Sequence, residues 1–287
     1  MSEDPKKLFE LSGKVAVITG GGGVLGSCIS HALGRCGVKV AVMDLRVDPA
    51  KLRPHQDPHP AKTAADSIKA EGGDAIAVHG NVLDKAALEV ARDEILKQWG
   101  RVDFLLNYAG GNNPKATVSA DQSFFDIPKE ALEGVVSLNL SGTVLPSQVF
   151  GKVMTQQKEG VIINVSSMNA FRPLTRIAAY SAAKAAVSNF TQWLAVHMAQ
   201  NYSPKIRVNA IAPGFFLTDQ NRYLLTDKVT GARTARGDCI LGHTPMGRYG
   251  EPSDLTGTVL FLLSPAAAFV TGVVIPIDGG FSAFSGV

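Results

Sequence analysis

The sequence predicts an α/β protein: a doubly wound parallel sheet of about seven strands, with helices on both faces. Three observations predict it. Short β-branched apolar runs alternate with helical patterns along the whole chain, which demands right-handed βαβ crossovers and a parallel sheet. No linker or internal repeat divides residues 1–287, so they read as one domain. The first apolar run empties into a glycine cluster that opens a helix, TGGGGVLG at 19–26.

The elements follow in order. Lys14–Thr19 (KVAVIT) is a buried strand bounded by glycine. A helix runs from about Leu25 to Cys36 and stops at Gly37; Val38–Met43 is the second strand, ending at Asp44. Prolines 49, 54, 58 and 60 then mark a surface loop. Ala64–Glu71 reads as a helix stopped by Gly72 and Gly73, and Asp74–His79 as the third strand. Lys85–Trp99 is a helix, Val102–Asn107 a strand, and Leu132–Gln156 one long helix. Gly160–Val165, the helix Tyr180–Ala199 and the strand Ile206–Ile211 follow. Residues 218–250 are polar and irregular and are expected to act as a substrate lid. A helix over Leu255–Leu263 and a strand over Val273–Ile277 close the chain.

Composition limits the function classes. The chain is 45% hydrophobic and 18% charged, with a net charge of +3 and no basic block, which argues against nucleic acid as a partner. No apolar run reaches the ~18–20 residues of a membrane helix. The opening MSEDPKKLFELSGK lacks a signal peptide's apolar core. Cys28, Cys36 and Cys239 have no metal-like spacing, so no metal site is expected and reduced thiols in a cytoplasm are.

Gly21, Gly23 and Gly26 match G-x-G-x-x-G between a strand and a helix, the context of a dinucleotide fingerprint. Backbone N–H groups there can approach a pyrophosphate at the positive end of a helix. Asp44 closes the second strand, where an acid accepts hydrogen bonds from the adenosine ribose and repels a 2′-phosphate. The expected cofactor is therefore NAD rather than NADP, with Arg46 as a partial counterweight. Tyr180 and Lys184, four apart in YSAAK, share a helix face. A phenol with a pKa near ~10 is a poor acid or base at neutral pH unless a cation lowers that value, and Lys184 is placed to do so. Ser167, at the end of the fifth strand, can hold a reacting carbonyl oxygen.

These motifs resemble the short-chain dehydrogenase/reductase family over essentially the whole chain. The likeness rests on TGGGGVLG, Asp44, NYAG (107–110), Asn139 in SLNLSG, Ser167, YSAAK (180–184), VNAIAPG (208–214) and TGVVIPIDGG (271–280). It implies a Rossmann-type fold and a catalytic set of Asn139, Ser167, Tyr180 and Lys184. In that set Tyr180 exchanges the proton, Lys184 lowers its pKa, Ser167 positions the oxygen and Asn139 supports a proton relay. It also implies a cofactor site of Gly20, Gly21, Gly22, Gly23, Leu25, Gly26, Asp44, Asn81, Val82, Asn107, Ala109, Gly110, Tyr180, Lys184, Pro213, Gly214, Phe216 and Thr218. Two departures stand out: Val24 where the family's T-G-x-x-x-G-x-G has glycine, and Tyr108 where NNAG has asparagine. The resemblance further implies a homotetramer.

Loops after strands four, five and six offer Asn112, Asn113, Asn169, Arg172, Gln220, Asn221 and Arg222. Amides suit hydroxyls and arginine suits a carboxylate. AGGNNP, SSMNAFRPLTRI and APGFFLTDQNR resemble the mannonate oxidoreductase (fructuronate reductase) branch of the family. The expected reaction interconverts a keto-sugar acid and its hydroxy acid, such as D-fructuronate and D-mannonate. The alternatives are a gluconate- or 2-deoxygluconate-type dehydrogenase and, from another class, a non-catalytic NAD-binding regulator.

Overall fold

The computed structural model describes residue 4 and residues 7–45, 57–217, 225–227 and 230–286. Seven strands, all paired in parallel, form a single sheet: β1 (Val15–Thr19), β2 (Lys39–Asp44), β3 (Ala75–His79), β4 (Phe104–Asn107), β5 (Gly160–Val165), β6 (Ile206–Pro213) and β7 (Val274–Ile277). Their order is β3-β2-β1-β4-β5-β6-β7.

Period-two alternation sends neighbouring side chains to opposite cores. Ala16 and Ile18 pack on one face with Ile29 and Leu33 of α1 (Val24–Arg35), Ile68 of α2 (Pro60–Ala70) and Val259 of α8 (Thr256–Leu263). Val15 and Val17 pack on the other, with Leu88 of α3 (Lys85–Trp99), Phe150 of α5 (Gly142–Gln157) and Met198 of α6 (Ala178–Asn201). Both faces are covered, which is why the inner strands read as unbroken apolar runs. Strand order reverses beside β1, and the crevice at the carboxyl ends of β1 and β4 is where such sheets place ligands.

Three local expectations need correction. Pro60 belongs to α2, not to the loop: it occupies the first helical turn, where its missing N–H costs nothing. The long helix over Leu132–Gln156 is interrupted. α4 (Lys129–Val136) passes through a π-helical segment, Ser137–Ser141, before α5 begins. Pro146 lies inside α5 and cannot donate to the carbonyl four residues back. Finally, the stretch read as irregular contains α7 (Ala235–Gly242), capped by the Thr234 hydroxyl, which accepts from Gly237 N at 3.1 Å.

Candidate active site

The glycine run resolves the first question of the site. A Cβ on Gly26 would lie 2.2 Å from the Gly20 carbonyl oxygen, so the first turn of α1 can only pack this closely on the loop if position 26 is glycine. Val24 is the first helical residue and is 41% exposed, so nothing presses on its side chain. The family's glycine is dispensable there for that reason. No side chain caps α1, and its first turn carries no acid. Gly23 N is held by Gly20 O at 3.1 Å, and the N–H groups of the first helical turn, at Val24, Leu25 and Gly26, have no side-chain cap, which fits a diphosphate.

Asp44 sits across this loop. Its carboxylate accepts from Gly22 N at 3.0 Å and from Leu45 N at 2.8 Å; burial pushes its pKa up and these two bonds oppose the shift. A groove of about 500 Å³ opens beside it, lined by Leu45, His59, Lys62 and His79 among others. Asn81, just beyond β3, is exposed, with its own oxygen accepting from Leu83 N, while Val82 is buried against Gly142. Ala109 N donates to the Thr19 hydroxyl at 3.2 Å, which ties the loop after β4 to the end of β1. Gly214 N is held by Ile277 O, and Phe216 is buried against Gly250. Thr218 lies outside the described residues. The Asn107 side chain faces the interior: its amide donates to Asn164 Oδ1 at 2.8 Å and to Ser147 Oγ at 3.1 Å. The amide nitrogen braces β4, β5 and α5, while its Oδ1 is buried with no hydrogen-bond partner.

The four catalytic candidates converge. α6 presents Tyr180 and Lys184 one turn apart, with Lys184 Nζ 5.6 Å from the centre of the Tyr180 ring. The Ser167 hydroxyl hydrogen-bonds the Tyr180 phenol. Lys184 Nζ donates to Val165 O at 2.8 Å. Asn139 is fully buried in the π-helical segment; it donates to Val135 O at 2.8 Å and Gly111 O at 2.7 Å and accepts from Gly111 N at 3.2 Å. Gly110 explains how these groups share one space. A Cβ there would fall 2.8 Å from Asn139 Oδ1 and 3.3 Å from Lys184 Nζ, so bare backbone runs between them. Ser166 is structural: its hydroxyl pairs with Lys184 O and Ser188 Oγ.

Burial dominates the electrostatics. It pushes the Tyr180 phenol up, against the Ser167 hydrogen bond, which pulls it down. It brings the Lys184 ammonium down to about 8. A lysine of that value is still mostly charged at neutral pH and can favour the phenolate beside it.

The polar loops divide in their roles. Asn113 caps a short turn, its oxygen accepting from Lys115 N at 3.0 Å, and Asn112 donates to Thr117 Oγ1 at 2.9 Å, so both serve the loop. Arg172 is exposed. Asn169 differs: it is 5% exposed, two residues after Ser167, and its Oδ1 has no hydrogen-bond partner. Gln220, Asn221 and Arg222 lie outside the described residues. The sequence reading missed Val165, whose contribution is a backbone carbonyl, and Ser181, whose buried hydroxyl is also unpartnered. A backbone acceptor leaves no trace in residue type.

The profile described as Enoyl-(Acyl carrier protein) reductase, of the short-chain alcohol dehydrogenase type, matches residues 24–282. The chain belongs to the short-chain dehydrogenase/reductase family. This short-chain dehydrogenase is 46% identical over 286 residues to an uncharacterized oxidoreductase, UxuB, of Bacillus subtilis, covering 96% of this chain and 98% of the relative. It is 31% identical over 273 residues to 5-keto-D-gluconate 5-reductase of Escherichia coli, covering 95% and 97%. A solved structure from Haemophilus influenza, provisionally named a D-mannonate oxidoreductase and holding NAD, superposes with a TM-score of 0.87 at 45% identity over 97% of this chain and 98% of that one. As a family member the protein is an NAD(P)-dependent oxidoreductase acting on a CH–OH group. When bound, the nicotinamide supplies or takes the hydride. The chain's own residues supply the rest. The arrangement would let Ser167 hold a reacting oxygen beside the phenol, Tyr180 move a proton at that oxygen, and Lys184 favour the ionised phenol. Asn139 fixes the backbone at Gly111 next to them. Among the described residues no helix is long and apolar enough to cross a membrane, and no cluster of side chains suits a metal.

Proposed function

We propose that the enzyme interconverts a keto-sugar acid and its hydroxy acid with NAD(H), D-fructuronate and D-mannonate being the preferred pair. The observation that carries this reading is the unpartnered, buried Asn169 oxygen beside Ser167. A hydroxyl next to the reacting carbonyl would satisfy that acceptor; an apolar steroid or acyl chain would leave it unpaired, at a cost of about 1–3 kcal/mol. The likeness to the Haemophilus influenza structure supports the same choice. A panel of ketones with NADH tests it: D-fructuronate is expected to give the highest kcat/KM, and turnover confined to uncharged ketones would sink the reading. A second reading, reduction of 5-keto-D-gluconate, is favoured by the Escherichia coli relative, and preference for that ketone in the same panel would select it.

The NAD preference rests on Asp44, whose carboxylate stands at the loop where an adenosine ribose would lie. Asp44→Ser is expected to raise the KM for NADH roughly 10- to 100-fold, the value of hydrogen bonds to a charged acceptor, and to narrow the gap to NADPH. An unchanged NADH KM would remove Asp44 from the site. The lid role of 218–250 and a homotetramer belong to the same proposal. Trp193 and Val196 on α6, 57% and 56% exposed, are apolar surface that an interface between copies would cover.

A further inference from the structure

The segment after β7 folds back over the end of β6 and the end of α7. The Asp278 carboxylate accepts from Gly280 N at 3.0 Å and from Ser282 N at 2.9 Å, which sets a turn straight after the strand. Gly279 and Gly280 have φ of +64° and +88°, the region that favours glycine. The turn lies close on the stretch that follows α7. Met246 N donates to Gly279 O at 3.1 Å, and a Cβ on Gly279 would fall 2.9 Å from Thr244 Cγ2. Thr244 is itself buried, with its hydroxyl donating to Ile240 O of α7 at 2.8 Å.

Beyond the turn the contacts are aromatic. The Phe281 ring meets Phe215 edge-on, with centroids 5.2 Å apart, and lies 6.5 Å from the His243 ring. Phe284 meets the same imidazole at 6.2 Å. His243 Nδ1 is 2.8 Å from Cys239 O; a carbonyl only accepts, so Nδ1 donates and the ring is tied to the last turn of α7. Phe215 is the second residue after β6, and its carbonyl accepts from Gly250 N at 2.8 Å. Phe281 therefore touches Phe215, where the chain leaves the sheet, and His243, where α7 ends. This end of the sheet is the catalytic one: Ser166 N donates to Ile211 O of β6 at 2.8 Å, one residue before Ser167.

We infer that Phe281 is a positioning residue for the reaction: it clasps the end of β6 to α7 and so fixes the substrate side of the opening. Phe284 supports it through His243. The inference rests on the reading above that the stretch containing α7 covers the substrate. Asp44 and the glycine loop, at the ends of β2 and β1, stand apart from this clasp, with β4 and β5 between them and β6. Cofactor affinity is therefore expected to be independent of it.

Phe281→Ala and Phe281→Tyr, which keeps the ring, test it in the full chain. The KM for the ketone, D-fructuronate or 5-keto-D-gluconate, is expected to rise roughly 5- to 30-fold in Phe281→Ala, the size expected for two lost ring contacts, with kcat within about threefold and NADH affinity within about twofold. Phe281→Tyr is expected to stay within about twofold of the wild-type KM. Mere loss of folded protein would lower kcat and leave KM unchanged, so that pattern overturns the inference, as does an equal rise of KM in both variants. A second readout needs no turnover: trypsin cleavage after Arg233 and Arg236 in the NADH-saturated enzyme, mapped by mass spectrometry. Selectively faster cleavage at these two sites in Phe281→Ala supports the clasp. Unchanged cleavage, or a rise at every site alike, overturns it. Failure of the reading beneath it is seen in wild type alone, where cleavage at these sites that saturating ketone leaves unchanged would sink that reading and the inference with it.

Discussion

Tyr180→Phe is expected to lower kcat by about 10³-fold while leaving NADH affinity unchanged, as measured by stopped-flow turnover and by nicotinamide fluorescence titration. The phenol stands beside Lys184 and is the group proposed to move a proton at the reacting oxygen, and a hydrogen bond from Ser167 pulls its pKa down. Removing the phenolic oxygen leaves the ring on α6, with Lys184 still bound to Val165 O. The fold and the cofactor cradle therefore persist while the chemistry does not. A variant with wild-type turnover would assign the proton transfer elsewhere. A wild-type protein that binds NADH yet reduces none of the ketones in the panel would favour the non-catalytic regulator.

Lys184→Met is expected to reduce kcat by about 10²–10³-fold and to change how stability depends on pH. The first effect follows because burial drives the Tyr180 phenol up, and removing a cation 5.6 Å from its ring takes away a charge that favours the phenolate. The second follows from the lysine's own burial. Lys184 is 4% exposed, and burial brings its ammonium down to about 8 in the folded protein, against 10.5 for the unperturbed group. The folded state thus gives up this proton earlier than the unfolded chain does. Below about pH 8 the buried charge counts fully against folding; between about 8 and 10.5 the unfolded chain holds more protons, and wild-type stability rises with pH. The full shift corresponds to roughly 3 kcal/mol. Relative to Lys184→Met, wild type is expected to gain up to that amount between pH 7 and pH 10 in urea unfolding. A difference that stays flat with pH would mean that the lysine is hydrated in the folded protein.

Most of the sheet was legible because parallel strands buried on both faces leave continuous β-branched runs bounded by glycine. The strand Gly160–Val165 and the helix Lys85–Trp99 have the expected ends. The misreadings have local causes. Pro60 looked like a loop breaker because proline's tolerance in a first helical turn depends on where the helix starts. α7 was hidden by Gly237. That glycine is required by packing, since a Cβ there would lie 2.5 Å from Leu225 O. The break at Asn139 needs an i→i+5 turn, which residue types alone do not announce.

The places of Tyr180, Lys184, Ser167 and Asp44 were legible for a different reason. Each depends on a functional group at a strand end or on a helix face, and period and spacing report both. The loop asparagines were not separable in that way. Asn112, Asn113 and Asn169 carry the same amide, yet two complete their own loop and one is buried with an oxygen unsatisfied.

Sequence by itself determined the sheet and the glycine-lined strand–helix junction, and it named Tyr180 as the expected proton-transfer group, because these follow from hydrophobic period and from chemistry carried by single residues. Tertiary structure alone decided which polar groups remain free for a ligand. It showed that Val24 is exposed, that the Asn107 amide donates into the interior, and that the Asn169 oxygen is buried without a partner. The physical reason is that hydrogen bonds and ion pairs are satisfied by whatever folding brings near, and distance along the chain does not encode that.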